Sequence, residues 1–251
     1  MGVRVRSLIL GTLASAAAFG LSPAPVHAGA FSVSPLRVAL SSKAQTGALT
    51  IRNREDTPVV VQAECLLWEQ VDGQDRLVPT RDVLVSPAVF TLPAEGSQLV
   101  RVALRRPADA QQELAYRLIL TEVPPEAKSG FTGLSVALRF SLPIFVEALA
   151  PAEPRLEWSA ARDGDGRLVL TARNAGAAHA RVLNFSVVPV AVMGVVLDQP
   201  VSAYILPGQA RTWTLDNDQN DGNSGTDWSR LRVKAATEAG DLEAEASLAG
   251  R

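Results

Sequence analysis

Cysteine is nearly absent. Cys65 stands alone in 251 residues, so no intramolecular disulfide can form. It sits in "VVVQAECLLWEQ" with no histidine nearby in the sequence, and reads as a small buried residue and not as a reactive thiol. Histidine is almost as scarce: there are two, His27 and His179. His27 falls in the N-terminal leader described below, and one remaining imidazole cannot assemble the usual multi-histidine metal centre. His179 lies in "NAGAAHARVL", a small-residue stretch that predicts a turn or strand end, so no serine or cysteine triad has a base. Glu122 and Glu147 read as structural charges near strand ends, not as a catalytic pair. No enzyme, metal site or cofactor is expected.

Charge of either sign is not in excess. Lys and Arg number 24 against 26 Asp and Glu, a net −2, which makes no case for nucleic acid or an anionic membrane surface. Two tyrosines and four tryptophans are scattered along the chain, too few and too dispersed for the aromatic face that a carbohydrate-binding module or adhesin would want. Helical periodicity is the last absence.

What is present begins with "MGVRVRSLILGTLASAAAFGLSPAPVHAGA". Arg4 and Arg6 precede an uncharged stretch from Ser7 to about Leu21, and a small-residue site follows at Val26-His27-Ala28. This is the layout of a secretory signal peptide, and the apolar part is shorter than the roughly 20 residues that span a bilayer. Cleavage after Ala28 is expected, giving a signal peptide over residues 1–28 and a mature chain, with no membrane insertion, outside the cytoplasm.

Short runs rich in Val, Leu and Thr then alternate with Gly, Pro, Asn and Asp at the spacing of a β-sandwich. Strands are predicted over 31–40, 47–53, 58–70, 76–79, 83–85, 97–105, 114–123 and 134–147, enough for one immunoglobulin-like sandwich over 29–148. "EALAPAEPR", with Pro151 and Pro154, predicts a linker over 149–155. A second set over 155–159, 167–174, 179–187, 194–197, 201–205, 210–215, 229–236 and 241–248 builds a second sandwich over 156–251. "ARDGDGRL" and "ILPGQARTW" supply turns between its strands. The expected fold is all-β, two tandem immunoglobulin-like domains.

Two stretches stand apart from this pattern. "DNDQNDGNSGTD" (216–227) has calcium-loop spacing at Asp216, Asp218 and Asn220, but its glycine is one place late and Asp227 stands where a glutamate is usual, so it reads as a solvated loop. "LSVALRFSLPIFV" (134–146) alternates large apolar residues at Leu134, Val136, Leu138, Phe140, Leu142, Ile144 and Val146, longer than one half-buried strand of ordinary length needs.

The order of these pieces resembles the pilus chaperones of the chaperone-usher pathway, the PapD-like proteins. "VSPLRVAL…GALTIRNREDTPVVVQAE" is similar to the family's first strand with its arginine, followed by a strand ending in an asparagine turn. "LPAEGSQLVRVALRR" is similar to its proline-and-glycine turn and next strand. "ELAYRLILTEVPP" resembles the strand running from a tyrosine to an acidic residue and two prolines, and "LSVALRFSLPIFVEA" the long final strand. In the second domain, "GRLVLTARNAGAAHARVLNFSV" and "YILPGQARTWTL" resemble the corresponding strand, asparagine turn and proline turn. The short loop before the final strand, the lack of a cysteine pair and the "SLPIFV" ending resemble the archaic branch, which serves Csu-type and spore-coat-protein-U-like pili.

The resemblance implies an L-shaped pair of domains with a cleft between them, in the periplasm, with pilus subunits and an outer-membrane usher as partners. It implies donor-strand complementation: the final strand of the first domain pairs with the open edges of a subunit while its alternate side chains fill the subunit's groove. Leu134, Val136, Leu138 and Phe140 fall on the donor positions, whereas Leu142, Ile144 and Val146 read as the domain's own core. It also implies two basic residues in the cleft that hold the subunit's C-terminal carboxylate. Arg37 falls on the family's first-strand arginine. Pro143 stands where the family has a lysine, and Arg117 and Arg139 are the candidates to replace it. The alternative carried beside this reading is an exported two-domain adhesin or carbohydrate-binding module.

Overall fold

The computed structural model describes residues 31–124, 136–190, 197–215 and 229–248. The signal peptide, Leu134 and the Asp/Asn-rich loop at 216–227 lie outside these residues. Ten strands form the first half: β1 (Phe31–Ser34), β2 (Val38–Leu40), β3 (Thr46–Asn53), β4 (Val59–Val71), β5 (Gln74–Pro79), β6 (Val83–Ser86), β7 (Val89–Leu92), β8 (Ser97–Leu104), β9 (Leu114–Val123) and β10 (Arg139–Val146). The second half carries β11 (Leu156–Arg162), β12 (Leu168–Asn174), β13 (Ala180–Pro189), β14 (Leu197–Ile205), β15 (Ala210–Leu215), β16 (Arg230–Thr237) and β17 (Gly240–Ser247).

The strands make four sheets. One runs β1-β3-β8-β6 and faces a second running β2-β10-β9-β4-β5, with β7 also paired to β4; a third runs β11-β12-β15 and a fourth β14-β13-β16-β17. Alternation explains each pairing of sheets. In β4, Val59, Val61, Ala63 and Cys65 point into the first core, where they meet Leu49, Ile51, Val100 and Val102 from the facing sheet. Trp158, Leu170, Phe185, Leu231 and Val233 build a second core in the same way. Full burial of each large side chain is worth about 1.5–3 kcal/mol, so each core supports its own sandwich. Burial pushes the Cys65 thiol up to about 12, with a smaller contribution from Glu64.

Four expectations change in detail. The strand expected over 31–40 is two: β1 pairs β3 in one sheet, and after Pro35 the chain crosses to lie parallel to β10 in the other. Proline cannot donate to a ladder, so the break falls there. The unexpected β7 is four residues long and follows Pro87 closely, with Pro93 immediately after it, so its apolar alternation is too short to stand out between two prolines. Residues 201–205 belong to one strand starting at Leu197, which tolerates Pro200 because β14 is an edge. The long final strand begins at Arg139; Val136–Leu138 lie outside it. There the Leu138 N–H is taken by the Glu122 carboxylate (3.0 Å), not by a backbone carbonyl, and the ladder ends.

Two buried asparagines close equivalent turns in the two domains. Asn53 and Asn174 are both fully buried. The Asn53 carboxamide donates to the Thr57 and Pro93 carbonyls (2.7 and 3.0 Å) and accepts from the Glu55 N–H (3.0 Å). Asn174 donates to the Ala178 and Ile205 carbonyls (2.7 and 2.9 Å) and accepts from the Gly176 N–H (2.9 Å). Asn174 also accepts from the Arg155 N–H at 3.1 Å. The segment read as a linker is therefore seated on the second domain.

Candidate functional site

The final strand of the first domain carries one open edge. On its inner side β10 pairs with β9 from Arg139↔Thr121 to Val146↔Leu114; on its outer side β2 covers only Ile144–Val146. Because the Leu138 carbonyl accepts from the Glu122 N–H (2.9 Å), even-numbered residues of this strand bond to β9 and odd-numbered ones turn their backbone groups outward. Arg139 and Ser141 thus present peptide groups to an edge that no strand covers among the described residues. Pro143 falls on the same outward set, so its missing N–H costs the β9 ladder nothing.

Along this strand burial grades from sealed to open. Val146, Ile144 and Leu142 are buried in the first core; Phe140 and Leu138 are half-buried at its rim; Val136 is 68% exposed. The Phe140 ring packs on Phe31 with centroids 5.0 Å apart. Of the four donor positions, the described residues place Val136 in solvent and keep Leu138 and Phe140 in contact with their own domain.

Arg37, Pro143 and Arg117 form a row. Ile144 pairs with Val38 and Pro143 with Arg117, so one step back along the parallel register sets Arg37 beside Pro143. Val38, Leu40, Tyr116 and Leu118 point into the first core. Their odd-numbered neighbours Arg37 and Arg117 therefore share the opposite face, two strand spacings or about 10 Å apart at the backbone. Arg139 lies on that face too, four residues along β10 and about 13 Å from Pro143. The structure brings Arg37 and Arg117 to one level and leaves Arg139 at the far end.

This face is where the second domain docks. Trp68, Ala115, Phe145 and Leu206 make a small third core, with Tyr204 packed against it. The Arg117 guanidinium lies 3.6 Å over the Trp68 ring and 5.6 Å from that of Tyr204, and reaches the Ser141 carbonyl at 3.5 Å. Burial pulls the Arg117 pKa down; Asp75 opposes this. Arg181 approaches Tyr204 as well, at 5.1 Å. His179 stacks on Phe145, centroids 3.6 Å apart and planes within 4°, with its Nδ1 2.7 Å from Glu113 Oε1. Gln70, buried at the end of β4, donates to the Tyr204 carbonyl (2.9 Å) and accepts from the Leu206 N–H (3.0 Å). Arg211 donates to Asp75 at 2.7 Å.

The Arg37 guanidinium donates to the carboxylate of Glu238, which belongs to the turn between β16 and β17. Both border a cavity of about 500 Å³ that Glu153, His179, Arg181 and Asp241 also line. None of Gln70, Arg181 or Glu238 is distinguishable in the sequence, because each acquires its partner across more than 100 residues or beside residues of the other domain. Among the described residues no three His, Cys, Asp or Glu side chains gather as a metal site would require.

Known proteins resemble the chain in the same terms. Residues 30–150 match the family described as pili and flagellar-assembly chaperone, PapD N-terminal domain. A probable fimbrial chaperone, EcpB of Escherichia coli, is 28% identical over 209 residues, covering 81% of this chain and 88% of that protein. Among solved structures, the fold matches a chain of the CsuC–CsuE chaperone–tip adhesion subunit pre-assembly complex of Acinetobacter baumannii (TM-score 0.66, 19% identity, 88% of this chain and 100% of that one). It also matches a chain of the Salmonella enterica SafA pilin–SafB chaperone complex (TM-score 0.59, 16% identity, 88% and 98%). Residues 30–150 thus carry the PapD N-terminal domain of the pilus and flagellar-assembly chaperones, and the chain as a whole has the fold of two immunoglobulin-like sandwiches seen in the solved pilus chaperones.

Proposed function

We propose that the protein binds, folds and caps pilus subunits by donor-strand complementation in the periplasm and hands them to an outer-membrane usher. Its role is that of a chaperone, not an enzyme. On this reading residues 1–28 are the signal peptide, 29–148 the donor-bearing domain, 149–155 the linker and 156–251 the second domain. The subunits belong to the archaic, Csu-type class.

The observation that carries the proposal is the open outer edge of β10 from Arg139 to Pro143, continuous with an exposed Val136. An unpaired edge offers backbone donors and acceptors to an incoming strand, and alternate apolar side chains supply specificity. Leu134, Val136, Leu138 and Phe140 are the donated residues; Phe140, already on Phe31, marks where the lent stretch meets the domain's own core. Arg37 and Arg117 are the carboxylate anchor, since two guanidiniums at one level can hold a terminal carboxylate by charge-assisted bonds and so set the register of pairing. Arg139 is too far along β10 to share that carboxylate.

The tyrosines and tryptophans among the described residues do not favour the adhesin alternative. Tyr116, Trp68 and Trp158 are buried, while Tyr204 packs on the third core and Trp213 on the second. Co-expression with candidate subunits tests the proposal: wild type should keep a subunit soluble in a one-to-one complex, and Val136→Asp and Leu138→Asp should each abolish that rescue. Equal rescue by all three proteins would refute it.

A further inference from the structure

The contact between Arg37 and Glu238 joins the proposed anchor to a carboxylate the protein itself provides. Glu238 and Ala239 form the two-residue tip of the β16–β17 hairpin, closed by the Thr237↔Gly240 pair, with Gly240 at φ 120°. The Thr237 hydroxyl donates to the Gly240 carbonyl at 2.6 Å, and the Glu238 N–H donates to the Arg181 carbonyl at 3.0 Å. Backbone bonds thus hold the tip while its carboxylate crosses from the second domain to a guanidinium of the first.

We infer that Glu238 is a built-in stand-in for the subunit's terminal carboxylate: it occupies Arg37 in the free chaperone and is displaced when a subunit docks. The inference rests on the reading of Arg37 as anchor. Glu238 takes the Nη1 side of the Arg37 guanidinium, and a second carboxylate on the remaining donors of the same group would lie within a few ångströms of the first and be repelled by it. Release is feasible because the pair is half-exposed, 45% for Arg37 and 35% for Glu238, so water takes over the freed carboxylate and little net stability is lost. The cavity beside the pair gives an incoming carboxylate its approach. Occupation of Arg37 by Glu238 lowers the affinity for every small carboxylate, so that only a ligand that also pairs along β10 wins the site.

The test uses the whole mature chain and acetate as probe, with chloride at equal ionic strength as control. Arg37 is followed through its Nε–H resonance, identified by its loss in Arg37→Ala. Glu238→Gln and Glu238→Ala should each lower the acetate midpoint at Arg37 by about threefold to fivefold, the ratio an exposed ion pair corresponds to. Equal midpoints in wild type and both variants would overturn the inference while leaving Arg37 standing as a carboxylate site. Absence of any acetate response in all three proteins would overturn it too, and co-expression of Arg37→Ala with a subunit then decides the anchor separately: retained rescue removes Arg37 from that role.

Discussion

Arg37 and Arg117 stand one strand to either side of Pro143, on the face of the sheet turned away from the first core. The position onto which the resemblance places the family's lysine thus lies between the backbones of two arginines. Arg37→Ala and Arg117→Ala should each cut the yield of soluble subunit at least tenfold in co-expression, and Arg139→Ala by less than twofold. Arg117→Ala also loses its contact over Trp68, worth about 0.5–2 kcal/mol, so urea unfolding of the free protein separates a folding loss from a binding loss.

Pro143 supplies a second test of the same geometry. Residue 143 turns its backbone nitrogen to the outer edge, so Pro143→Lys keeps the β9 ladder, but its side chain is buried and the variant should fold with a lowered urea midpoint, a loss of about 1–3 kcal/mol of stability. In an Arg117→Ala background it should restore most of the subunit rescue by returning a cation to the row. Failure to restore it in a well-folded variant would argue that Arg117 acts through Trp68 and Tyr204 instead.

The grading of burial along β10 separates two kinds of apolar residue. Leu142→Ala removes a side chain that is 5% exposed and should cost about 2–5 kcal/mol in urea unfolding. Val136→Ala, at a site 68% exposed, should stay within about 0.5 kcal/mol of wild type. A subunit-binding defect confined to Val136→Ala would then be a defect of the donated stretch alone.

The linker is held by a close approach at Gly176. A Cβ there would lie 2.3 Å from the Glu153 carbonyl oxygen and 2.5 Å from the Arg155 nitrogen, whereas one at Gly164 would meet nothing within 4 Å. Gly176→Ala should lower stability by about 1–3 kcal/mol through overpacking, and Gly164→Ala should be near neutral in the same thermal melt. Asn174→Ala, which orphans the Gly176 and Arg155 N–H groups and the Ala178 and Ile205 carbonyls, should cost at least as much as Gly176→Ala.

Cys65 makes the chain its own unfolding reporter. Burial raises its pKa from 9.0 to about 12. A group whose folded pKa is raised adds stability that is complete below the unfolded value and lost as pH climbs through the folded one. The urea midpoint of wild type should therefore fall between pH 9 and about 12 more steeply than that of Cys65→Ala. Iodoacetamide at pH 8 should label Cys65 in urea and leave the native protein largely unlabelled.

Local chemistry was readable without coordinates. Alternation marked the strands, and the turns at Asn53 and Asn174 came from the resemblance to the family's asparagine turns; the structure supplies their physical cause, a buried carboxamide that closes the local backbone. The seven-residue apolar series ending at Val146 announced a strand longer than one sheet needs. Misreadings had local causes as well: Pro35 divides one expected strand between two sheets, and Glu122 ends the β10 ladder by capping Leu138.

The sequence by itself determined two all-β domains, many of the turns between their strands and the long alternating apolar series ending at Val146, because period-two burial and turn formation depend on residues close along the chain. Only the tertiary structure decided which charges meet. Arg37 reaches Glu238 across 201 positions, and Arg117 reaches the level of Arg37 through the register of two strand pairings. Ion pairs and cross-strand rows depend on how sheets stack and domains dock, and no periodicity along the chain records that.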